Sequence, residues 1–470
     1  MGKSRIAGVL LSVLVFIICP SGAYALDQFV YVNHTTNFNK VSAFRAAADG
    51  TLTEIAGSPF ATGGQGDFFS ASSILVSPGA DFLYVVNNHS SDISVFSIDP
   101  ATGGLTLVPG SPFKVTNPFN GYIRLAVSPD NRFLFAAFPS LRRDLATIST
   151  FAIASNGALS TVSANPFGGF GFRIIDFKVS PNGQFMFVFD GDLNGVWINS
   201  VGSDGRLTRL PGTIQFGDRL ESQGKLEINC ASDSLYLVEN SSNIHRFNIG
   251  IDGSLSPGPE APFVFPGSLS LLLSPDGRFL FVNGGGVRVH NADVPGLLPI
   301  IPGSPFGTGS SVLEMDMGIN RAGTLLYLIG FGKIGVLSVG GNGALTLASE
   351  YSVPARWISG ATLATYTAKT CRPLFDICLQ INSSQGSSLQ LDSTTGDYQF
   401  CCQGTIFTGK GTVTRRGSAI TLEHNAPDRR VLAKIDQAVH SGSASIQSPP
   451  GRILCTIRAT SAAINECSCR

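Results

Sequence analysis

The sequence predicts an all-β protein, a seven-bladed β-propeller followed by a small disulfide-rich β domain. A short hydrophobic strand recurs roughly every fifty residues, a period typical of propeller blades. Asx-Gly turns and Gly-Ser-Pro-Phe motifs recur at matching places between the copies. Beyond residue 370 this pattern stops and most of the cysteines appear. The seven copies of the strand begin at Phe29, Phe82, Phe133, Phe185, Leu235, Phe279 and Leu325.

The first 25 residues have the pattern of a secretory signal peptide. Lys3 and Arg5 precede an apolar run over 6–18, and Ala-Tyr-Ala ends at Ala25. A membrane anchor is the alternative, but this run is shorter than the roughly 20 residues that span a bilayer. A lipoprotein signal would use Cys19, but such signals resemble one another in having a small residue where Ile18 stands. We therefore expect a secreted or periplasmic protein with no membrane insertion after cleavage.

The second repeat shows the four strands expected in one blade. Apolar or alternating segments occupy 73–76, 82–86, 93–98 and 105–108. Between the first two segments, Pro and Gly in a Ser-Pro-Gly-Ala-Asp sequence predict a turn. Related sequences mark the same turn in other repeats, and proline in the Gly-Ser-Pro-Phe motif suits an outer edge strand.

The ends of the repeat region predict how the ring closes. The propeller is expected over 26–368, yet Phe29 belongs to the second strand of its blade and no inner strand precedes it. A segment from Ile358 to Tyr366 follows the seventh outer strand and has strand character. We expect it to be the missing inner strand, because such pairing removes an open sheet edge.

The last segment, 369–470, is expected to form the small β domain. Its seven cysteines indicate disulfides in an exported protein, and their odd number leaves one thiol free or paired between molecules. Zinc is the alternative, but paired C-x2-C spacing is missing, so no metal site is expected. Seven strands are predicted, over 377–381, 388–391, 398–401, 411–414, 419–423, 431–435 and 453–458.

The repeat motifs resemble a known family. Ser-Pro-Asp-Gly-Arg-Phe-Leu-Phe-Val at 274–282 and Phe-Leu-Tyr-Val-Val-Asn at 82–87 are similar to the lactonase-type propellers, which include 6-phosphogluconolactonases. In those enzymes a histidine often stands on the inner strand, four residues before the turn serine. The corresponding residues here are not histidines, so the resemblance implies the fold more than phosphogluconolactone hydrolysis. They are Ser73, Arg124, Asp176, Leu226, Ser270 and Asp316.

Composition excludes some partners and leaves two functions open. The 32 basic residues balance the 32 acidic ones, which argues against a nucleic-acid partner. One hypothesis is a non-catalytic exported protein that binds a carbohydrate, a lactone, a protein ligand or an envelope component through its loops and channel. The other is a sugar lactonase with Asp176, Arg124 and Asp316 as catalytic candidates, in which a carboxylate acts as general base for water.

Neither hypothesis requires a cofactor. We expect a set of polar residues to line the channel. They either bind the ligand or form ion pairs around a water-filled channel. They are Arg124, Arg173, Asp176, Glu227, Glu314, Asp316 and Arg356. Histidines at or near turns and outer strands are expected at the surface, namely His34, His89, His245 and His290.

Overall fold

The computed structural model describes residues 28–459 apart from short internal segments. The predicted signal peptide therefore lies outside the described residues. The internal segments that are not described are 35–36, 67–73, 116–122, 139–145, 163–165, 172, 193–194, 216–223, 240, 259–262, 269, 293–297, 308–315, 331, 354–361, 366–376, 381–387, 392–396, 403–404, 411, 417–418, 427–428, 437–440 and 449–451.

Seven antiparallel sheets form the seven blades, as predicted. In blades 2–7 the strands follow one another in sequence from the innermost outward, and short extra strands pair with the third strand of several blades.

The strands of blades 1–3 are β1 (Gln28–Asn33), β2 (Lys40–Ala46), β3 (Leu52–Glu54) and β4 (Phe60–Ala61); β5 (Ile74–Val76), β6 (Phe82–Asn87), β7 (Asp92–Ile98), β8 (Leu105–Leu107) and β9 (Phe113–Lys114); and β10 (Arg124–Val127), β11 (Phe133–Phe138), β12 (Thr147–Ile153) and β13 (Leu159–Thr161).

Blades 4–7 contain β14 (Ile174–Val179), β15 (Phe185–Asp190), β16 (Gly195–Val201), β17 (Leu207–Arg209) and β18 (Ile214–Gln215); β19 (Gly224–Ile228), β20 (Ser234–Glu239), β21 (Ser241–Ile249), β22 (Leu255–Pro257) and β23 (Phe263–Ser268); β24 (Ser270–Leu273), β25 (Phe279–Asn283) and β26 (Val287–Asn291); and β27 (Asp316–Ile319), β28 (Leu325–Gly330), β29 (Lys333–Val339) and β30 (Leu345–Ser352).

Ring closure is confirmed. A strand from the end of the repeat region, β31 (Thr362–Thr365), pairs antiparallel with β1, with Val30 opposite Thr365 and Asn33 opposite Thr362. Blade 1 is thus built from both ends of the repeat region. Within the described residues, no helix has the length and apolar character needed to cross a membrane.

The junction between blades 3 and 4 shows how neighbouring blades are joined. Gly205, in the outer hairpin of blade 4, lies so close to the Phe133 ring of blade 3 that a Cβ on it would be 2.6 Å from Cδ1. On blade 3, the Arg132 guanidinium lies 5.0 Å from the centre of the same ring and donates a hydrogen bond to Ser203 O at 3.0 Å. Hairpin glycines contact second-strand phenylalanines likewise in the pairs Gly103–Phe29, Gly157–Phe82, Gly253–Phe185 and Gly343–Phe279.

The Gly-Ser-Pro-Phe motif lies at the outer edge, as predicted, and its serine has a defined role. Ser58 Oγ accepts a hydrogen bond from Ala43 N at 3.0 Å, and Ser111 Oγ accepts one from Val95 N at 2.9 Å. Each serine oxygen thus satisfies a third-strand amide that would otherwise lack an acceptor at the outer edge of the blade.

Two further sheets form the C-terminal part. The first contains β32 (Ile377–Gln380), β33 (Ser388–Leu391), β34 (Asp397–Cys402) and β35 (Thr405–Lys410), and the second contains β36 (Thr412–Arg416), β37 (Ala419–Ala426), β38 (Arg429–Asp436), β39 (Ser441–Ser448) and β40 (Arg452–Ala459). All seven predicted strands are present, whereas β35 and β39 were not predicted. The boundary at 368/369 lies outside the described residues, and the cysteine side chains of this part are not described, so the boundary and the disulfides stay predictions.

Candidate functional site

Five polar residues occupy equivalent positions on the inner strands of blades 3–7. In each blade, count the second strand from the position where most repeats have phenylalanine, such as Phe133; the inner-strand residue pairs with the fifth residue. Arg124 thus lies opposite Ala137, and Asp176 lies opposite Phe189. We call this set the polar ring; its members are Arg124, Asp176, Lys225, Ser270 and Asp316.

In blade 5 the predicted ring residue was wrong by one position. Lys225, and not Leu226, pairs with the equivalent position of the second strand, Val238. The reason is the turn between the first and second strands. Asn229 N donates to Ser234 O in blade 5, just as Ser128 N donates to Phe133 O in blade 3. Ser234 is therefore the counterpart of the repeat's first phenylalanine, although the sequence pattern placed Leu235 there.

Strand alternation separates the polar residues of blade 5 from its core. Leu226 and Ile228 are buried in the apolar cluster between blades 4 and 5. Because successive side chains of a strand point to opposite faces, Lys225 and Glu227 lie together on the other face. The same alternation places Lys178 beside Asp176 on blade 4.

Two ion pairs connect these inner strands. Lys225 Nζ contacts Asp316 Oδ1, so an ion pair reaches from blade 5 to blade 7 across the inner strand of blade 6. Lys178 Nζ lies 3.3 Å from Glu227 Oε1 and joins blades 4 and 5. The carboxylates are buried, whereas about a third or less of each lysine side chain is exposed.

Lys178 is the centre of the local electrostatics. Burial acts to lower the pKa of its ammonium group. The charge of Glu227, followed by those of Asp176 and Asp316, outweighs burial and raises this pKa above its ordinary value. Lys178 is therefore a fixed positive charge surrounded by three carboxylates.

The three predicted catalytic residues differ in the contacts that they make. Asp316 is engaged in the ion pair with Lys225. Asp176 Oδ2 accepts a hydrogen bond from Leu226 N at 2.9 Å, and no ion pair joins it to Arg124 among the described contacts. Arg124 and Asp176 thus present opposite charges at equivalent positions on adjacent blades.

Apart from Glu227, the other predicted channel residue that the structure describes is Arg173. Arg173 Nη2 lies 3.9 Å from Asp192 Oδ1 of its own blade, at the end of the second strand. Glu314 and Arg356 lie outside the described residues, as does Ser73. Prediction from the sequence missed Lys178 and Lys225, although their two-residue offsets from Asp176 and Glu227 were a usable signal.

The described charged groups of this site balance one another. They comprise three cations and three anions, namely Arg124, Lys178, Lys225, Asp176, Glu227 and Asp316. Within the described ranges, no cluster of His, Cys, Asp and Glu has the arrangement of a metal site.

Two histidines expected at the surface are buried. His34 Nε2 is 2.7 Å from Ser42 Oγ, and His290 Nδ1 is 2.8 Å from Leu298 O. Burial lowers the pKa of both, assisted at His34 by Lys40, while the Leu298 carbonyl partly opposes the effect at His290. Both belong to the packing of the blades and lie outside the polar ring.

Comparisons with known proteins agree with this architecture. Residues 27–120 match the family model described as Lactonase, 7-bladed beta-propeller. A putative 6-phosphogluconolactonase from Bacteroides fragilis has a similar structure, with 18% identity and a TM-score of 0.57, over 73% of this chain and 98% of that one. The periplasmic gluconolactonase PpgL of Pseudomonas aeruginosa is similar at 15% identity and a TM-score of 0.56, over 71% and 99%.

A putative 6-phosphogluconolactonase from Bacteroides uniformis gives 17% identity and a TM-score of 0.56, over 72% of this chain and 99% of that one. No curated protein matches the sequence. At these identities the likeness to solved structures shows the fold. The predicted resemblance to the lactonase-type seven-bladed propellers is confirmed.

Proposed function

We propose that this protein is an exported propeller that binds an uncharged, hydroxyl-rich ligand, a carbohydrate or sugar lactone, at the polar ring. The charge balance of the inner strands carries the proposal. On the described inner strands three cations face three anions, and two of the cations are already ion-paired. An uncharged ligand can exchange hydrogen bonds with these groups without leaving a buried net charge.

The same balance argues against a phosphorylated ligand. A phosphate dianion calls for several charged donors. Among the described cations of the site, only Arg124 has no carboxylate within ion-pair distance. Export, which rests on residues 1–25, also separates the protein from cytoplasmic sugar phosphates.

Hydrolysis of a sugar lactone is the second candidate, and the state of Asp176 favours it. One carboxylate oxygen of Asp176 is held by Leu226 N, which orients the group and leaves Oδ1 to accept a proton from water. The guanidinium of Arg124, on the neighbouring blade, would stabilise negative charge on the lactone carbonyl oxygen.

Calorimetric titration of the mature protein tests the binding proposal. The ligands are D-glucose, D-glucono-1,5-lactone and 6-phosphogluconolactone, and we expect binding of the first two only. Arg124→Ala and Asp176→Asn should each weaken binding about tenfold or more, since each removes a charged hydrogen-bond partner. Lys333→Ala is the matched control, because Lys333 pairs with Glu350 on the outer strands of blade 7.

A hydrolysis assay separates the two candidates. We expect lactone opening at the spontaneous rate with the wild-type protein. Turnover well above that rate, abolished by Asp176→Asn, would support the lactonase instead. Binding of 6-phosphogluconolactone in preference to the other two ligands would contradict the charge argument.

A further inference from the structure

Ser270, the polar-ring residue of blade 6, has a hydroxyl group without a hydrogen-bond partner. The residue is 1% exposed and its Oγ makes no hydrogen bond, although its backbone N donates to Asn283 Oδ1 at 2.8 Å. A buried hydroxyl that has lost water without gaining a partner is unfavourable, and native structures rarely leave one in this state. The unsatisfied hydroxyl of Ser270 therefore needs a physical explanation.

The inner strands on either side of Ser270 carry polar residues at the equivalent position. Lys225 of blade 5 reaches across blade 6 to Asp316 of blade 7, and Ser270 holds the equivalent position on the strand between them. An ammonium group, a carboxylate and a hydroxyl thus lie on three successive inner strands. Because the ion pair is mostly buried, its own polar atoms also gain from any further hydrogen bond.

We propose that Ser270, Lys225 and Asp316 form a subsite for one hydroxyl group of the ligand; this inference rests on the proposed binding function. A hydroxyl carries two acceptor lone pairs and one donor hydrogen. It can accept from Lys225, donate to Asp316 and exchange a hydrogen bond with Ser270. The subsite would therefore distinguish a hydroxylated sugar from the analogue that lacks that one hydroxyl, because the buried groups would then stay unpaired.

A double-mutant cycle that pairs a protein substitution with removal of one ligand hydroxyl tests the subsite. The affinities of wild type and Ser270→Ala are measured for D-glucose and for its 2-, 3-, 4- and 6-deoxy derivatives. In the wild type we expect one derivative to bind about tenfold more weakly than glucose. In Ser270→Ala, glucose should lose most of this advantage while the affinity for that derivative stays nearly constant.

Ser97→Ala is the matched control, because Ser97 is a half-buried serine that donates to Thr106 O on the outer strands of blade 2, away from the polar ring. If Ser270→Ala does not fold, Asp316→Asn takes its place in the same cycle. Binding of glucose with unchanged discrimination in the variant overturns the subsite alone. Failure of the wild type to bind any probe removes the proposed function and the subsite with it.

Discussion

Replacing Gly205 by alanine should destabilise the propeller at the junction of blades 3 and 4. Gly205 has a φ of +79°, and a Cβ placed on it would be 2.6 Å from Cδ1 and 2.8 Å from Cε1 of Phe133. The ring cannot easily retreat, because Arg132 covers it and is tied to Ser203 O. Alanine here therefore combines an unfavourable backbone with overpacking.

The magnitude can be separated into these two contributions. Left-handed backbone at a residue with a Cβ costs roughly 1–2 kcal/mol. Forcing extra volume into a packed core costs roughly 1–3 kcal/mol more. We thus expect Gly205→Ala to lower the free energy of unfolding by about 2–5 kcal/mol.

Gly277→Ala is the matched control for the backbone contribution. Gly277 has a φ of +74°, and a Cβ on it would meet nothing within 4 Å. Its loss should be limited to about 1–2 kcal/mol. Equilibrium unfolding in guanidinium chloride, with equal slopes for both variants, measures the difference.

A double variant identifies the contact responsible. Phe133→Leu shortens the side chain that Gly205 contacts, so the added cost of Gly205→Ala should shrink in the Phe133→Leu background. Equal losses for Gly205→Ala and Gly277→Ala, or strictly additive effects of Gly205→Ala and Phe133→Leu, would refute the interblade contact as the cause.

Three further predictions concern closure, pH and thiols. Ending the chain before Thr362 removes the strand that pairs with Val30–Asn33, so the melting temperature of the propeller should fall; an unchanged value would contradict closure by β31. The pKa values of His34 and His290 are lowered by folding from 6.5, so the unfolded chain binds protons more readily below about pH 6.5 and stability should decline as pH falls through that range. Replacing both histidines with glutamine should flatten the dependence of melting temperature on pH between about 7.5 and 5, and an unaltered slope would assign it to other groups. In the mature protein, mass spectrometry after alkylation should find most cysteines beyond residue 370 in disulfides, and reduction should leave the propeller transition largely in place; mostly alkylated thiols would contradict the disulfide prediction.

Local patterns in the sequence were enough to predict the blades. The period of the second strand, the Asx-Gly hairpins and the Gly-Ser-Pro-Phe edge depend on neighbouring residues, which is why they are visible without a structure. Closure was also predictable, because an inner strand was missing at Phe29 and a spare one occurred near residue 360. The register failed only in blade 5, where Asn229-Cys-Ala-Ser replaces the Ser-Pro-Asp-Gly turn and hides the start of the next strand.

The sequence alone therefore determined the architecture and several residues of the polar ring, including Arg124, Asp176 and Asp316. Only the tertiary structure decided which charges meet. Lys225 and Asp316 are 91 residues apart and pair because the ring brings blades 5 and 7 within reach across blade 6. Strand alternation predicts which face a side chain occupies, but its partner there depends on how the neighbouring inner strands converge. The burial that leaves the Ser270 hydroxyl without a hydrogen-bond partner depends on the same convergence.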